Sequence, residues 1–140
     1  MNVLFFKVNG QNYFADANNV RYIIENSNLN ITNIPNNQDA SSLGWYMHQD
    51  RVYVMKDAGM MFQNYSIKAP KSVILFNNLI GLIVDNIENV VEIDESNFNT
   101  SPIVNKYINT VLIHHHEINL GVDVDKLRNY NIDKYIKKEQ

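Results

Sequence analysis

Cysteine is absent from the 140 residues. Disulfides, thiolate nucleophiles and cysteine-based zinc sites are thereby excluded. Charge is sparse, at 19%, with a formal net charge of −3 and a pI of about 5.7. No basic block exceeds Lys137-Lys138, so the positive surface that a nucleic-acid backbone demands is missing. The longest apolar runs reach about six residues, against the roughly 20 that span a bilayer. The segment Met1-Asn2-Val3-Leu4-Phe5-Phe6-Lys7 lacks the basic start and long apolar stretch of a signal peptide. A soluble, cytoplasmic protein without membrane insertion is the expectation. Also missing are a Gly-rich phosphate loop, a nucleophile elbow and a His-Glu-x-x-His pattern.

What is present is β patterning. Hydrophobic residues make up 45% of the chain, ordinary for one globular domain with a single core. Asparagine fills polar positions at roughly one residue in six, where a few per cent is usual. It suits turns, because it tolerates positive φ. Residues 3–8 are apolar with one Lys, and Asn9-Gly10 is the strongest hairpin signal in the chain. Residues 11–15 read as the returning strand, and residues 16–19 break the pattern before a strand at 20–24. A polar stretch at 25–42 reads as a long loop, with room for a short strand at 29–34. Further strands are predicted at 51–55, 72–76, 79–84 and 87–93. Asn77-Asn78 between two of them is read as a two-residue turn with positive φ at both positions. A final pair, 107–113 and 117–124, flanks His114-His115-His116, and residues 125–138 read as a helix. Short strands at this spacing argue a sandwich or small barrels, mainly β. The stretch 60–70 is read as a possible join between two halves.

Few residues offer chemistry. His114 and His116 would share a face of a strand, and imidazole is a common metal ligand. Only Glu117 stands near enough in sequence to complete a set, so a turn bearing three polar rings is the simpler reading. Asp85, Glu88, Glu92, Asp94 and Glu95 contain possible carboxylate pairs for acid–base work. Asp85 follows a run of branched residues, where a carboxylate needs hydrogen bonds; backbone N–H groups at a strand bend would supply them. No catalytic residue, cofactor site or metal site is assigned, and no enzymatic activity is expected. Trp45-Tyr46-Met47 and Met60-Met61-Phe62 divide between core and a partner surface, where aromatic and Met side chains are enriched.

One stretch carries a family likeness. Gly81-Leu82-Ile83-Val84-Asp85-Asn86-Ile87-Glu88-Asn89-Val90 resembles Gly-Leu-x-Val-Asp-x-Val-x-x-Val, a signature of the CheW-like adaptor domains of bacterial chemotaxis. Other segments follow the same family in order: Leu4-Phe5-Phe6, Tyr13-Phe14-Ala15, Val20-Arg21-Tyr22-Ile23, Ile34-Pro35-Asn36, the run from Gly44 to Asp57, and Val122-Asp123-Val124-Asp125-Lys126-Leu127. The resemblance covers about residues 3–128. It implies two small five-stranded β-barrel subdomains sharing a core, over a domain at 1–128. A short helical tail at 129–140 follows from the periodicity. It also implies a non-catalytic adaptor that couples the cytoplasmic tip of methyl-accepting chemoreceptors to a CheA-type histidine kinase.

The chain departs from that family where partners bind. A Glu and an Arg that can pair in the family are Tyr22 and Gln49 here. Replacing both members of a pair is compatible with a sound fold, whereas removing one is costly. The family Asn, Gly and Pro of the same region are Met47, Asp50 and Val54. The resemblance places a partner-binding groove around Val20, Tyr22, Met47, His48 and Gln49. The rival reading is the same fold recruited to another assembly, such as a surface-motility system or a self-associating scaffold.

Overall fold

Tight turns organise the chain. The computed structural model describes residues 1–25, 29–33, 41–68, 71–101 and 105–128. β1 (Asn2–Val8) and β2 (Gln11–Asp16) pair antiparallel across Asn9-Gly10, with Val8 opposite Gln11. Asn9 and Gly10 have φ of 46° and 82°, the left-handed pair that a type I′ turn requires. Asp16 then caps a single 3-10 turn, Ala17–Asn19, by accepting from the Asn18 N–H. That turn is the break expected at 16–19, and it hands the chain to β3 (Val20–Ile24).

β3 belongs to a second sheet with β4 (Ser42–His48), β5 (Arg51–Asp57), β6 (Ser72–Phe76) and β7 (Ile80–Val84), in the order β3-β6-β7-β5-β4. The chain then returns to the first sheet with β8 (Asn86–Glu92), β9 (Phe98–Thr100), β10 (Ile108–His114) and β11 (Glu117–Val122), in the order β8-β1-β2-β11-β10-β9. The expected mainly β architecture is therefore present, as two sheets of six and five strands. Among the described residues neither ladder closes on itself, so side chains rather than hydrogen bonds bring the sheet edges together.

β6 and β7 are buried at every position, which explains their uninterrupted apolar runs. β1 is buried on both faces. Leu4, Phe6 and Val8 join the large cluster shared with the second sheet, while Val3 and Phe5 pack with Phe14, Ile93 and Leu112 in a smaller one. The signature stretch is the crossing point between sheets. β7 ends at Val84, Asp85 bends, and β8 leaves with five of its seven residues exposed.

Several local expectations are corrected. The β6–β7 hairpin forms, but Asn77 and Asn78 are not its left-handed residues. Leu79 is, at φ 68°, after a turn closed by its N–H donating to the Phe76 carbonyl at 3.1 Å. Asn78 is held differently: it donates to the Val124 carbonyl at 3.0 Å and accepts from the Ile80 N–H at 3.2 Å. The helix expected from residue 125 does not run on. A 3-10 turn, Val124–Leu127, ends at Arg128, which is extended at φ −75° and ψ 135°. Leu127 is fully buried, and its carbonyl accepts from the buried Lys56 ammonium at 2.6 Å, which pins that turn. The remainder of the expected helix, residues 129–138, lies outside the described residues, as does Ile34-Pro35-Asn36. Of the short strand considered at 29–34, Thr32 forms one antiparallel bridge with Trp45. An unexpected helix, α1 (Ala58–Gln63), occupies the start of the stretch read as a join.

Candidate functional site

β3 and β4 are opposite edges of their sheet, yet their side chains meet. The Tyr22 ring lies edge-on to the His48 imidazole, with centroids 4.6 Å apart at 66°. His48 in turn stacks toward Tyr46 at 6.0 Å and 27°. Three rings therefore bridge the two edges. The sheet must curl to allow it, in the direction that strand twist favours. Tyr22 stays 37% exposed and His48 half-buried, so the seam is open to solvent.

The other expected groove residues sit around that seam unequally. Side chains alternate along a strand, so Met47 and Trp45 share the face of β4 opposite to Tyr46 and His48. Met47 is 66% exposed. Gln49 lies beyond the strand, in the turn joining β4 to β5. With Asp50 it forms a left-handed pair, at φ 52° and 63°. Val20 is half-buried and separated from Tyr22 by a bulge in the β3–β6 ladder. The structure brings Tyr22 and His48 together, and places Met47, Gln49 and Val20 on other aspects of the same edge region. Tyr22 meets His48, one position before Gln49.

The aromatic clusters divide. Trp45, Tyr46, Met61 and Phe62 pack against the main core while partly exposed, and Met47 does not. Phe62 on α1 reaches Tyr13 at 5.0 Å and Tyr107 at 5.9 Å. Sequence reasoning missed α1 and its Gln63. That amide donates to the Val8 carbonyl at 2.8 Å and the Tyr13 hydroxyl at 3.2 Å, and accepts from Asn9 at 3.2 Å. It thereby ties the helix of one sheet to the first hairpin of the other. Burial pushes the Tyr13 phenol above its ordinary value, and the Gln63 hydrogen bond offsets this in part. The flanking caps were a readable signal for α1: Asp57 accepts from the Met60 N–H at 3.2 Å, and Asn64 is left-handed at φ 57°.

Residues with conceivable chemistry are placed structurally. Asp85 accepts from the Gly10 N–H at 3.1 Å, a backbone donor from the first hairpin turn and not from the strand bend itself, while its second oxygen is buried without a partner. Asp94 caps the 3-10 turn Glu95–Asn97, and the Ser96 backbone and hydroxyl hold its carboxyl below the ordinary value. His115 and His116 form a two-residue turn at φ 50° and 63°. His114, still in β10, lies nearly parallel to Phe5 at 5.1 Å. Among the described residues no three His, Asp or Glu side chains converge as a metal-ligand set.

The family model described as CheW-like domain matches residues 2–130. No curated protein matches the chain. The crystal structure of the scaffolding protein TtCheW from Thermoanaerobacter tengcongensis superposes with a TM-score of 0.78, at 18% identity over 87% of this chain and 88% of that one. At that identity the likeness is one of fold.

Proposed function

Because this chain belongs to the CheW-like domain family, a family of non-catalytic chemotaxis-type adaptors, we propose that it couples a chemoreceptor to a CheA-type histidine kinase. It would do so in the cytoplasm, through protein–protein contacts alone. The observation that supports a retained partner surface is the open ring seam at the joined edges of the second sheet. Tyr22 and His48 stand exposed enough to be covered, and Met47, on the other face of β4, keeps two-thirds of its surface free. Aromatic and Met side chains of this kind are enriched at interface centres. Val20, Tyr22, Met47, His48 and Gln49 are the proposed contact residues. The specificity differs from that of relatives, because a seam of rings stands where the family has a Glu and an Arg that can pair.

The test is co-precipitation with a CheA-type kinase and, separately, a receptor cytoplasmic fragment. Tyr22→Ala and Met47→Ala should each weaken binding by about tenfold, the effect of losing one interface anchor. Retention of neither partner by the unaltered protein would sink the proposal.

Self-association is a second reading with its own observation. Ile113 and Ile118 face each other across the β10–β11 ladder and are 66% and 58% exposed. A monomer by light scattering at high concentration removes that reading.

A further inference from the structure

The His114-His115-His116 turn and the acidic run after Asp85 play no part in the proposed coupling surface, yet the fold brings one carboxylate of that run, Glu88, beside His114 and His115. Between residues 85 and 101 the only charges are Asp85, Glu88, Glu92, Asp94 and Glu95, all negative. β8, which carries Glu88, is an edge strand of the first sheet. Phe5 of β1 and His114 of β10 have two strands between them in the sheet order, but their rings stack at 5.1 Å and 12°. The curl leaves an open cleft of about 210 Å³ lined by Phe5, Glu88, His114, His115, Glu117 and Asn119, among others.

Three features of that cleft point to one ligand chemistry. Glu88 is exposed and makes no hydrogen bond or ion pair among the described residues. Glu117 uses one oxygen to accept from Asn12 at 2.6 Å, which holds its carboxylate in place. Asn119 is only 5% exposed. Its amide nitrogen donates to the carbonyls of Leu112 at 3.4 Å and Glu117 at 3.1 Å. Its own side-chain oxygen accepts from nothing among the described residues. That oxygen is not sealed in the core: it opens on a cleft rimmed by carboxylates. No Lys or Arg lines that cleft.

We propose that the cleft receives the guanidinium group of an arginine carried by a partner protein. Guanidinium offers five N–H donors in a planar fork and no acceptor, matching two carboxylates and an amide oxygen that are open to accept. Its flat, weakly hydrated face suits a wall of stacked rings, which a compact ammonium matches less well. The site lies on the first sheet, apart from the Tyr22–His48 seam on the second, so the two surfaces fail or succeed independently.

The experiment is an NMR titration of the full chain with N-acetyl-L-arginine amide, N-acetyl-L-lysine amide and free L-arginine, repeated on Glu88→Gln. Support is a saturable shift of the Phe5, His114 and Asn119 signals with the blocked arginine. The lysine probe should bind more weakly, and Glu88→Gln should weaken the arginine probe by about tenfold, as loss of a charge-assisted pair does. Glu88 is exposed, so the variant keeps its fold, checked by an otherwise unchanged spectrum. Equal response to lysine, a response that does not saturate, or one untouched by Glu88→Gln overturns the site. Tighter binding of free L-arginine than of the blocked form overturns the partner-protein origin. A Tyr22→Ala chain should titrate unchanged.

Discussion

Asp85 shows how one carboxylate can serve a fold rather than a reaction. It stands where the chain leaves the second sheet, and accepts from the Gly10 N–H in the first hairpin turn. The Asp85 N–H donates to the Lys7 carbonyl at 3.0 Å, so backbone and side chain grip the same hairpin. Asp85→Ala removes a charge-assisted bond, and the expected cost is about 1–2 kcal/mol by urea denaturation; an unchanged midpoint would refute the anchoring role. Tyr13 supplies a pH dependence with a definite sign. Its phenol is raised in the folded state, chiefly by burial, so the folded state holds that proton more tightly than the unfolded chain. Its stabilising contribution is complete below the ordinary tyrosine value, near pH 10, and is lost as pH rises through the folded value. Tyr13→Phe should flatten the alkaline fall in melting temperature between roughly pH 9 and 11, either side of the ordinary tyrosine value. An alkaline limb identical to that of the unaltered protein would place the titration elsewhere.

At the scale of elements, turns and close approaches decide which strands pair. Gly44 has φ 153°, and a Cβ there would strike the Thr32 carbonyl and sit 2.6 Å from the Ile31 Cγ2. Gly44→Ala should therefore cost about 2 kcal/mol or more, since neither a backbone oxygen nor the bridged strand can yield cheaply. Full stability in a denaturant series would contradict that close approach. The Gln49-Asp50 turn tests the opposite direction. Both residues are left-handed, a conformation that Asn-Gly adopts at less cost. Gln49→Asn with Asp50→Gly should raise stability by about 1 kcal/mol; a lower melting temperature would show that the native side chains make contacts outweighing the strain. These turns also show what was legible. Asn9-Gly10 announced its hairpin because its residue types demand it. Gln49-Asp50 carries no such local preference, and the six residues of α1 are too few to display a helical period, although Asp57 and Asn64 flank them as caps. Asn77-Asn78 misled because the Val124 carbonyl draws Asn78 aside, a tertiary contact no window of sequence contains. The candidate surface was legible as a region, through family likeness, but not as a geometry. That Tyr22 meets His48 while Met47 faces away depends on how the sheet curls.

For the whole molecule, the consequence lies in β1 and β2. The chain begins the first sheet, builds all of the second, and then returns to finish the first. Each sheet is curled over its own side chains, but Leu4, Phe6, Tyr13 and Ala15 face a cluster that also contains Tyr53, Ile74, Leu82 and Val84 from the second sheet. Neither sheet can keep its buried surface if the other unfolds, so the two should melt as one unit. Trp45 is the only tryptophan and lies in the second sheet, which makes its fluorescence a reporter for that sheet alone. The Phe14 amide signal reports the first. Both should vanish over the same urea range. Phe6→Ala, at 0% exposure in the shared cluster, should shift both midpoints together by about 3–5 kcal/mol of destabilisation. If Trp45 instead keeps its midpoint while Phe14 moves, the sheets are separable, and an adaptor holding one partner on each would transmit no strain between them.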